Sequence, residues 1–222
     1  MTLEGVILDV DGTLVLSNDV HAQCWVEAFA KYGYTVDFEK VRPMMGMGGD
    51  KVIPQLFPDL NDEEGPGKEV ADYRKELVLN DFRDQIEPAQ GSRALVQKLR
   101  AEGLNLIIAT SASAKELETM LKIAQVDDLL KQATSSDDAD ASKPSPDIVE
   151  AALHKADLDP SRTVMLGDTP YDIEAAGKAG VDVIAFRCGG FDDEALRDAI
   201  AIYDDPADLL RHYDQSPLAQ KG

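Results

Sequence analysis

The sequence predicts a doubly wound parallel α/β sheet with a smaller, all-helical second domain. Three observations predict it. An apolar run near the N-terminus, Val6–Leu8, ends abruptly in Asp9, Asp11 and Gly12. Residues 38–83 show helical patterning and no strand pattern. From Leu104 onward, short apolar strands alternate with helices, which implies a parallel sheet covered on both faces.

The elements follow in order. In a strand, residues two apart share a face, so Asp9 and Asp11 project together from the end of the first strand. Two like charges placed there require a cation or a shared proton. Ser17 or Asn18 caps a helix that carries Val20, Cys24, Ala28, Phe29 and Tyr32 at helical spacing and stops near Gly33. His21 and Trp25 lie four apart on one face of it. Residues 38–83 are broken at Pro43, Gly46, Gly48, Gly49, Pro54 and Pro58, and read as several short helices forming a lid. Residues 61–84 are highly charged, with Val70, Tyr73, Leu77 and Phe82 as their apolar side. Gly46–Lys51 lacks both the Gly-Lys-Ser/Thr ending and the preceding strand of a phosphate loop, so that assignment is rejected. The crossings between the domains are residues 15–18 and 84–91, a hinge of two short linkers. A helix over 92–102 ends at Gly103 with Arg100 in its last turn.

Thereafter the pattern places strands at 104–109, 132–135, 163–166, 181–186 and 199–203. Helices fall at 115–123, 146–156 and 170–179, with a last one from Pro206. Sites in such sheets form at the carboxyl ends of the strands. Asp9 and Asp11, Thr110 and Ser111, Asp168 and, just beyond, Asp172 fall there, and Lys143 sits in a Pro-containing loop. Thr169-Pro170-Tyr171-Asp172 reads as N-cap to N3, which gives Asp172 a structural purpose as a capping acid.

Composition sets the bounds. The 222 residues are 44% apolar and carry a net charge of −20. That charge argues against nucleic acid or an anionic membrane as partner. An anionic substrate would need a divalent cation and local lysine or arginine to invert the field. Two cysteines, Cys24 and Cys188, give neither a disulfide framework nor a metal-site spacing. No signal peptide precedes Val6 and no apolar run approaches membrane-spanning length, so the chain reads as soluble and cytoplasmic.

Asp9-Val10-Asp11-Gly12-Thr13-Leu14 resembles motif I of the haloacid dehalogenase-like (HAD) superfamily, and the other motifs follow in order: Thr110-Ser111, Lys143 in Lys-Pro-Ser-Pro-Asp, and Asp168 with Asp172. The resemblance implies a Rossmann-like core over residues 1–15 and 86–222 and a helical cap over 16–85, close to the phosphoglycolate phosphatase and β-phosphoglucomutase-like group. It implies that Asp9 is a nucleophile and Asp11 an acid/base, and that Thr110, Ser111 and Lys143 hold the phosphoryl group. Mg²⁺ would rest on Asp9, the backbone carbonyl of Asp11, and Asp168, with Asp172 behind them as an orienting acid or cap. In the cap, His21, which packing alone would also explain, Arg42 and Lys51 are candidates for substrate contact.

The implied activity is Mg²⁺-dependent hydrolysis of a small phosphate monoester, a sugar phosphate or a phosphoglycolate-like compound, through an aspartyl-phosphate. The partner is a small phosphorylated metabolite, and the chain is expected as a monomer or weak dimer. The alternative is a sugar-phosphate mutase, whose relatives usually carry a basic cap residue where this chain has Gly49. Less favoured are a phospho-receiver domain, which has no cap, and a noncatalytic relative, which should have lost a motif residue. Leu16 stands where relatives commonly have Asp, which removes a polar contact at the hinge.

Overall fold

The structure, a computed structural model, describes residues 2–220. Its sheet is built from β1 (Gly5–Leu8), β4 (Asn105–Ala109), β5 (Ala133–Thr134), β6 (Thr163–Gly167), β7 (Asp182–Phe186) and β8 (Ala201–Tyr203). All neighbours are parallel, in the order β5-β4-β1-β6-β7-β8. Numbered by appearance in this sheet, that is 3-2-1-4-5-6, the doubly wound order whose chain direction reverses between its first and fourth strands. That reversal falls between β1 and β6, where Val6 pairs with Val164 and Leu8 with Leu166.

Period-2 alternation divides the strands between two apolar layers. Val6, Leu8, Leu106, Ile108, Val164 and Leu166 face one core, and Ile7, Ile107 and Met165 face the other. Ile148, Val149, Ala152 and Leu153 of α7 (Asp147–Ala156) and Ala175 and Ala176 of α8 (Pro170–Lys178) cover the second face. The first is covered by Leu95, Val96 and Leu99 of α5 (Ser92–Ala101), by Leu117 and Met120 of α6 (Ala114–Ile123), and by Leu209 of α9 (Pro206–Arg211). Strands buried on both faces explain why they read as near-continuous apolar runs.

Between β2 (Val15–Leu16) and β3 (Glu87–Pro88) lie α1 (Asn18–Lys31), α2 (Phe38–Val41), α3 (Gly49–Leu56) and α4 (Gly65–Glu76), with short 3₁₀ and π turns. The lone bridge Met45–Met47 is the only strand-like pairing among the described residues of this insertion. The two crossings pair with each other as an antiparallel ribbon, Val15 against Pro88 and Leu16 against Glu87, a pairing that the sequence pattern did not reveal. Leu16 is exposed there.

Two local expectations are corrected. The first strand ends at Leu8; the Asp9 amide still donates to Leu166 O at 2.9 Å, after which Val10 O accepts from Thr13, Leu14 and Val15 in a tight loop. Helix α1 has Ser17 at its N-cap without a side-chain cap bond, because the Ser17 hydroxyl donates to Asp11 Oδ1 at 2.7 Å instead.

Gly91 returns the chain to the core at φ +83, and a Cβ there would lie 2.6 Å from the Ala207 backbone. Gly103 has nearly the same conformation, φ +80, with open space around it. Gly91→Ala should therefore destabilise by more than the about 1–3 kcal/mol of left-handed strain alone, and Gly103→Ala by no more than that. Thermal melting checks it; at about 2–4 °C per kcal/mol for a chain of this size, the two variants should be clearly separated.

Candidate active site

Three neighbouring strand ends meet at the reversal. The loop after β1 supplies Asp9 and Asp11, the end of β4 supplies Thr110 and Ser111, and the end of β6 supplies Asp168. Lys143 reaches in from the loop before α7. It is 1% exposed, and its Nζ contacts Asp9 Oδ1 at 2.5 Å and Asp172 Oδ1 at 2.7 Å. Burial pushes the ammonium down, but Asp172 and Asp9 outweigh it and hold Lys143 above the ordinary lysine range.

Asp9, Asp168 and Asp172 are all buried and offer carboxylate oxygens within 4.8 Å of one another. Asp172 is committed on both sides. Its Oδ2 accepts from the amides of Asp168 (3.3 Å) and Thr169 (3.0 Å) and from the Thr169 hydroxyl (2.7 Å), and its Oδ1 faces Lys143. It is thus the capping-box acid of α8 and the second counter-charge of Lys143. Among the described residues Asp168 has no cationic partner; Thr13 Oγ1 donates to its Oδ1 at 3.1 Å and Asn18 Nδ2 to its Oδ2 at 2.7 Å. Burial, then the charges of Asp172 and Asp9, push the Asp168 carboxyl well up. For Asp9 burial is again the main cause; Lys143 opposes it, Asp172 and Asp11 add to it, and the group stands at about 7.

One ammonium among three buried carboxylates leaves the cluster short of positive charge. An all-oxygen donor set with that deficit fits a hard divalent cation such as Mg²⁺, which takes carboxylate and carbonyl oxygens and keeps several waters. Asp9 and Asp168 have the oxygens to hold it.

Asp11 behaves differently. Burial raises it, but contact with His21, the hydrogen bonds from His21 and Ser17, and the charge of Arg74 outweigh burial and hold it at about 2. His21 Nε2 lies 2.7 Å from Asp11 Oδ1, and Arg74 Nη2 lies 2.6 Å from His21 Nδ1. A guanidinium only donates, so Nδ1 accepts and Nε2–H points to Asp11. Arg74 Nη1 in turn contacts Glu116 Oε1 at 2.5 Å, and Glu116 closes the capping box of α6 with Ser113. Burial raises Glu116, yet Arg74, His21 and Ser113 bring it down overall. His21 is therefore joined to Asp11 in addition to packing, and Arg74 and Glu116 are partners that sequence reasoning missed. A signal existed: Arg74 lies four residues after Val70 and three before Leu77, on the apolar side of its helix.

The Asp9 and Asp11 side of the site borders a cavity of about 220 Å³ between the sheet ends and helices α1, α3 and α4, whereas Lys143, Asp168 and Asp172 do not line it. Asp9, Asp11, His21, Thr110 and Ser111 line it, together with Trp25, Met45, Met47, Arg74 and Lys75. Thr110 Oγ1 accepts from the Ala112 amide at 3.1 Å, and the Ser111 hydroxyl donates to Gly46 O at 3.1 Å, tying the insertion to the core. Ser142 makes a second tie, accepting from the Gly48 amide at 2.9 Å and contacting Asp50.

Arg42 and Lys51, expected as cap contacts, do not line the cavity. Arg42 turns away to the Asp19 carboxylate and to Gly189 O at 2.6 Å, over the Phe191 ring. Lys51 pairs with Asp50 at 3.2 Å. Each cation is drawn off by a nearer acid.

The sequence profile described as haloacid dehalogenase-like hydrolase matches residues 6–186. The chain belongs to the haloacid dehalogenase-like hydrolases. Among curated proteins, the pyrophosphatase PpaX of Bacillus mycoides is 24% identical over 190 residues, covering 83% of this chain and 84% of that one. A hydrolase from Pseudomonas syringae superposes with a TM-score of 0.88 at 27% identity, covering 96% of this chain and 98% of its own. CbbY from Rhodobacter sphaeroides, solved in complex with phosphate, gives 0.78 at 26%, covering 94% and 96%. The family and its phosphatase-named relatives make this chain an enzyme of the phosphatase type. Among the described residues, no helix is long and apolar enough to cross a membrane.

The Arg74–Glu116 pair is largely buried, so removing one member strands the other. Arg74→Met should lower stability by about 3–5 kcal/mol in urea denaturation. Adding Glu116→Gln to that variant should recover most of the loss, because the uncompensated charge disappears.

Proposed function

We propose that this enzyme hydrolyses a small phosphate monoester with Mg²⁺, through an aspartyl-phosphate on Asp9. The observation that carries the reading is the environment of Asp9. One of its oxygens is held by Lys143 in a cluster of three carboxylates, and its residue opens on a cavity lined by Thr110, Ser111 and Asp11. When bound between Asp9 and Asp168, the cation would supply Lewis-acid charge neutralisation at the phosphoryl oxygens and at Asp9.

The residues of the chain then divide the work. An Asp9 oxygen forms the bond to phosphorus as the P–O bond to the alcohol breaks, and Asp11 gives the departing oxygen a proton. Water next attacks the phosphorus, its proton passes to Asp11, and inorganic phosphate and free Asp9 result. Lys143 steadies the phosphoryl charge through Asp9, and the Thr110 hydroxyl and the Ser111 main chain orient it. Held at about 2 by His21, Ser17 and Arg74, Asp11 stands ready as the base. Its acid role requires that contact to loosen, and His21 and Arg74 both belong to residues 16–85, which we take as the mobile cap on a core of 1–15 and 86–222.

The leaving group is best read as uncharged. Beyond the catalytic acids, Asp50, Asp62, Glu63 and Asp140 line the cavity, while Arg74 is committed to Glu116 and His21. A Cβ at Gly49, where mutase relatives carry a cation, would meet Asp62 Oδ2 at 3.4 Å. Among the described lining residues, a second phosphate would stand against these acids with only Lys75 to offset it. This favours a monophosphate over the pyrophosphate named for the Bacillus relatives and over a mutase reaction.

The test is phosphate release from a panel of esters, with pyrophosphate and a hexose 1-phosphate plus its bisphosphate included. Sugar and short-chain monophosphates should be hydrolysed fastest. Preferred cleavage of pyrophosphate, or rapid hexose 6-phosphate formation with little phosphate release, would overturn the assignment.

Two further outcomes follow from the roles. Asp9→Asn should lower turnover by about 10⁴-fold or more and abolish acid-stable covalent phosphate, as loss of a nucleophile does elsewhere. Excess EDTA should stop the reaction and Mg²⁺ restore it, whereas excess Ca²⁺ should inhibit, since its longer bonds and higher ligand number would engage both Asp9 oxygens.

A further inference from the structure

Asn18 opens α1 and is 4% exposed, yet it lines the cavity beside Asp9 and Asp11. Its Nδ2 donates to Asp168 Oδ2 at 2.7 Å and to Gly189 O at 2.9 Å. Two acceptors at one end of the amide fix its orientation, because the reverse placement would set an oxygen against a carboxylate and a carbonyl. Oδ1 therefore takes the other end, and there it has no hydrogen-bond partner among the described residues. Buried acceptors without a donor are rare, and in a polar cavity they mark where a ligand or an ordered water completes the bond.

The surrounding backbone is drawn in tightly around this amide. A Cβ on Gly12 would lie 2.4 Å from Asn18 Nδ2 and 2.1 Å from Asp168 Oδ2, and one on Gly189 would lie 1.8 Å from Asp168 Oδ2. Gly12 also sits at φ +83, which favours glycine. The simplest local explanation for an asparagine at a helix start is capping, and α1 has no side-chain cap bond. Its amide is instead directed across the fold to Asp168, 150 residues away in the chain.

We propose that Asn18 is a positioning residue for the divalent cation: Nδ2 fixes the Asp168 carboxylate, and Oδ1 accepts a hydrogen bond from a water in the cation's hydration shell. The inference rests on the metal-dependent reading above. Mg²⁺ gives up its waters reluctantly, and the cation's charge makes those waters strong donors, so an acceptor fixed beside a ligand finds a ready partner. The Asn18 side chain meets both requirements of such an outer group. It orients a ligand with one atom and offers an acceptor with the next. Groups of this kind change metal affinity by about 10–100-fold in other sites.

The test is calorimetric titration of Mg²⁺ into EDTA-treated, dialysed protein, paired with thermal melting in EDTA. Asn18→Ala should weaken Mg²⁺ binding by about 10-fold or more. Its metal-free melting temperature should fall, because the Asp168 and Gly189 acceptors lose their donor, so the deciding readout is the affinity measured on folded protein below that melt: a residue with only a structural role would move the melt and leave the affinity alone. An unchanged Mg²⁺ affinity in the Ala variant would overturn the inference by itself. Absence of Mg²⁺ binding by the unsubstituted protein would overturn the metal reading and the inference with it. If Asn18→Ala fails to fold, Asn18→Ser decides by the same titration, since a serine side chain is too short to span both contacts and should also lose affinity.

Discussion

The Lys143 ammonium, buried between Asp9 and Asp172, is the contact on which the site depends. Without it, three carboxylates from two strand ends and the helix start after the second would face one another in a water-poor pocket, at a cost no local hydrogen bond could offset. With it, one charge is balanced twice over, and the site still carries an excess of negative charge. That excess explains why Asp9 and Asp168 are pushed up while Asp11, set apart with His21, is pulled down. For the proposed roles, Asp9 needs a cation beside it to be ionised as a nucleophile, and Asp11 needs its contact with His21 loosened before it can carry a proton.

The doubly wound order positions this cluster. Because β1 and β6 adjoin at the reversal, Asp9 and Asp168 approach without long loops, and the capping box of α8 fixes Asp172 behind them. The insertion closes over the same strand ends. Its loop is tied to Ser111 through Gly46 and to Ser142 through Gly48, and Arg74 reaches across to Glu116 on the core. The contacts that shape the cavity thus join the helical insertion to the loops that carry the polar site residues.

Much of this was legible in the chain because it is local. Strand runs, the Gly103 stop, the Thr169–Asp172 box and the acids at strand ends are written within a few residues of one another. What escaped depends on partners far apart in sequence. Ser17 reads as a helix cap, and only the folded loop brings Asp11 close enough to claim its hydroxyl. Arg42 and Lys51 read as substrate cations, and only the tertiary structure places Asp19 and Asp50 beside them. Asn18 and Arg74 look like ordinary helix polar groups until Asp168, 150 residues on, and Glu116, 42 residues on, are packed against them. The β2–β3 ribbon is likewise invisible to periodicity, because two residues are too few to show an alternation.

The carboxylate cluster holds three buried acids against one ammonium and is short of positive charge. Burial and mutual repulsion raise the carboxyls of Asp9 and Asp168 above the ordinary carboxylate range, so a divalent cation bound there, as proposed, would compete with protons. Calorimetric titration of Mg²⁺ at pH 7, in buffers of different ionisation enthalpy, counts the protons released. Proton release should accompany Mg²⁺ binding at pH 7 and diminish as the pH is raised above it. Mg²⁺ binding with no proton release at pH 7 would contradict that competition.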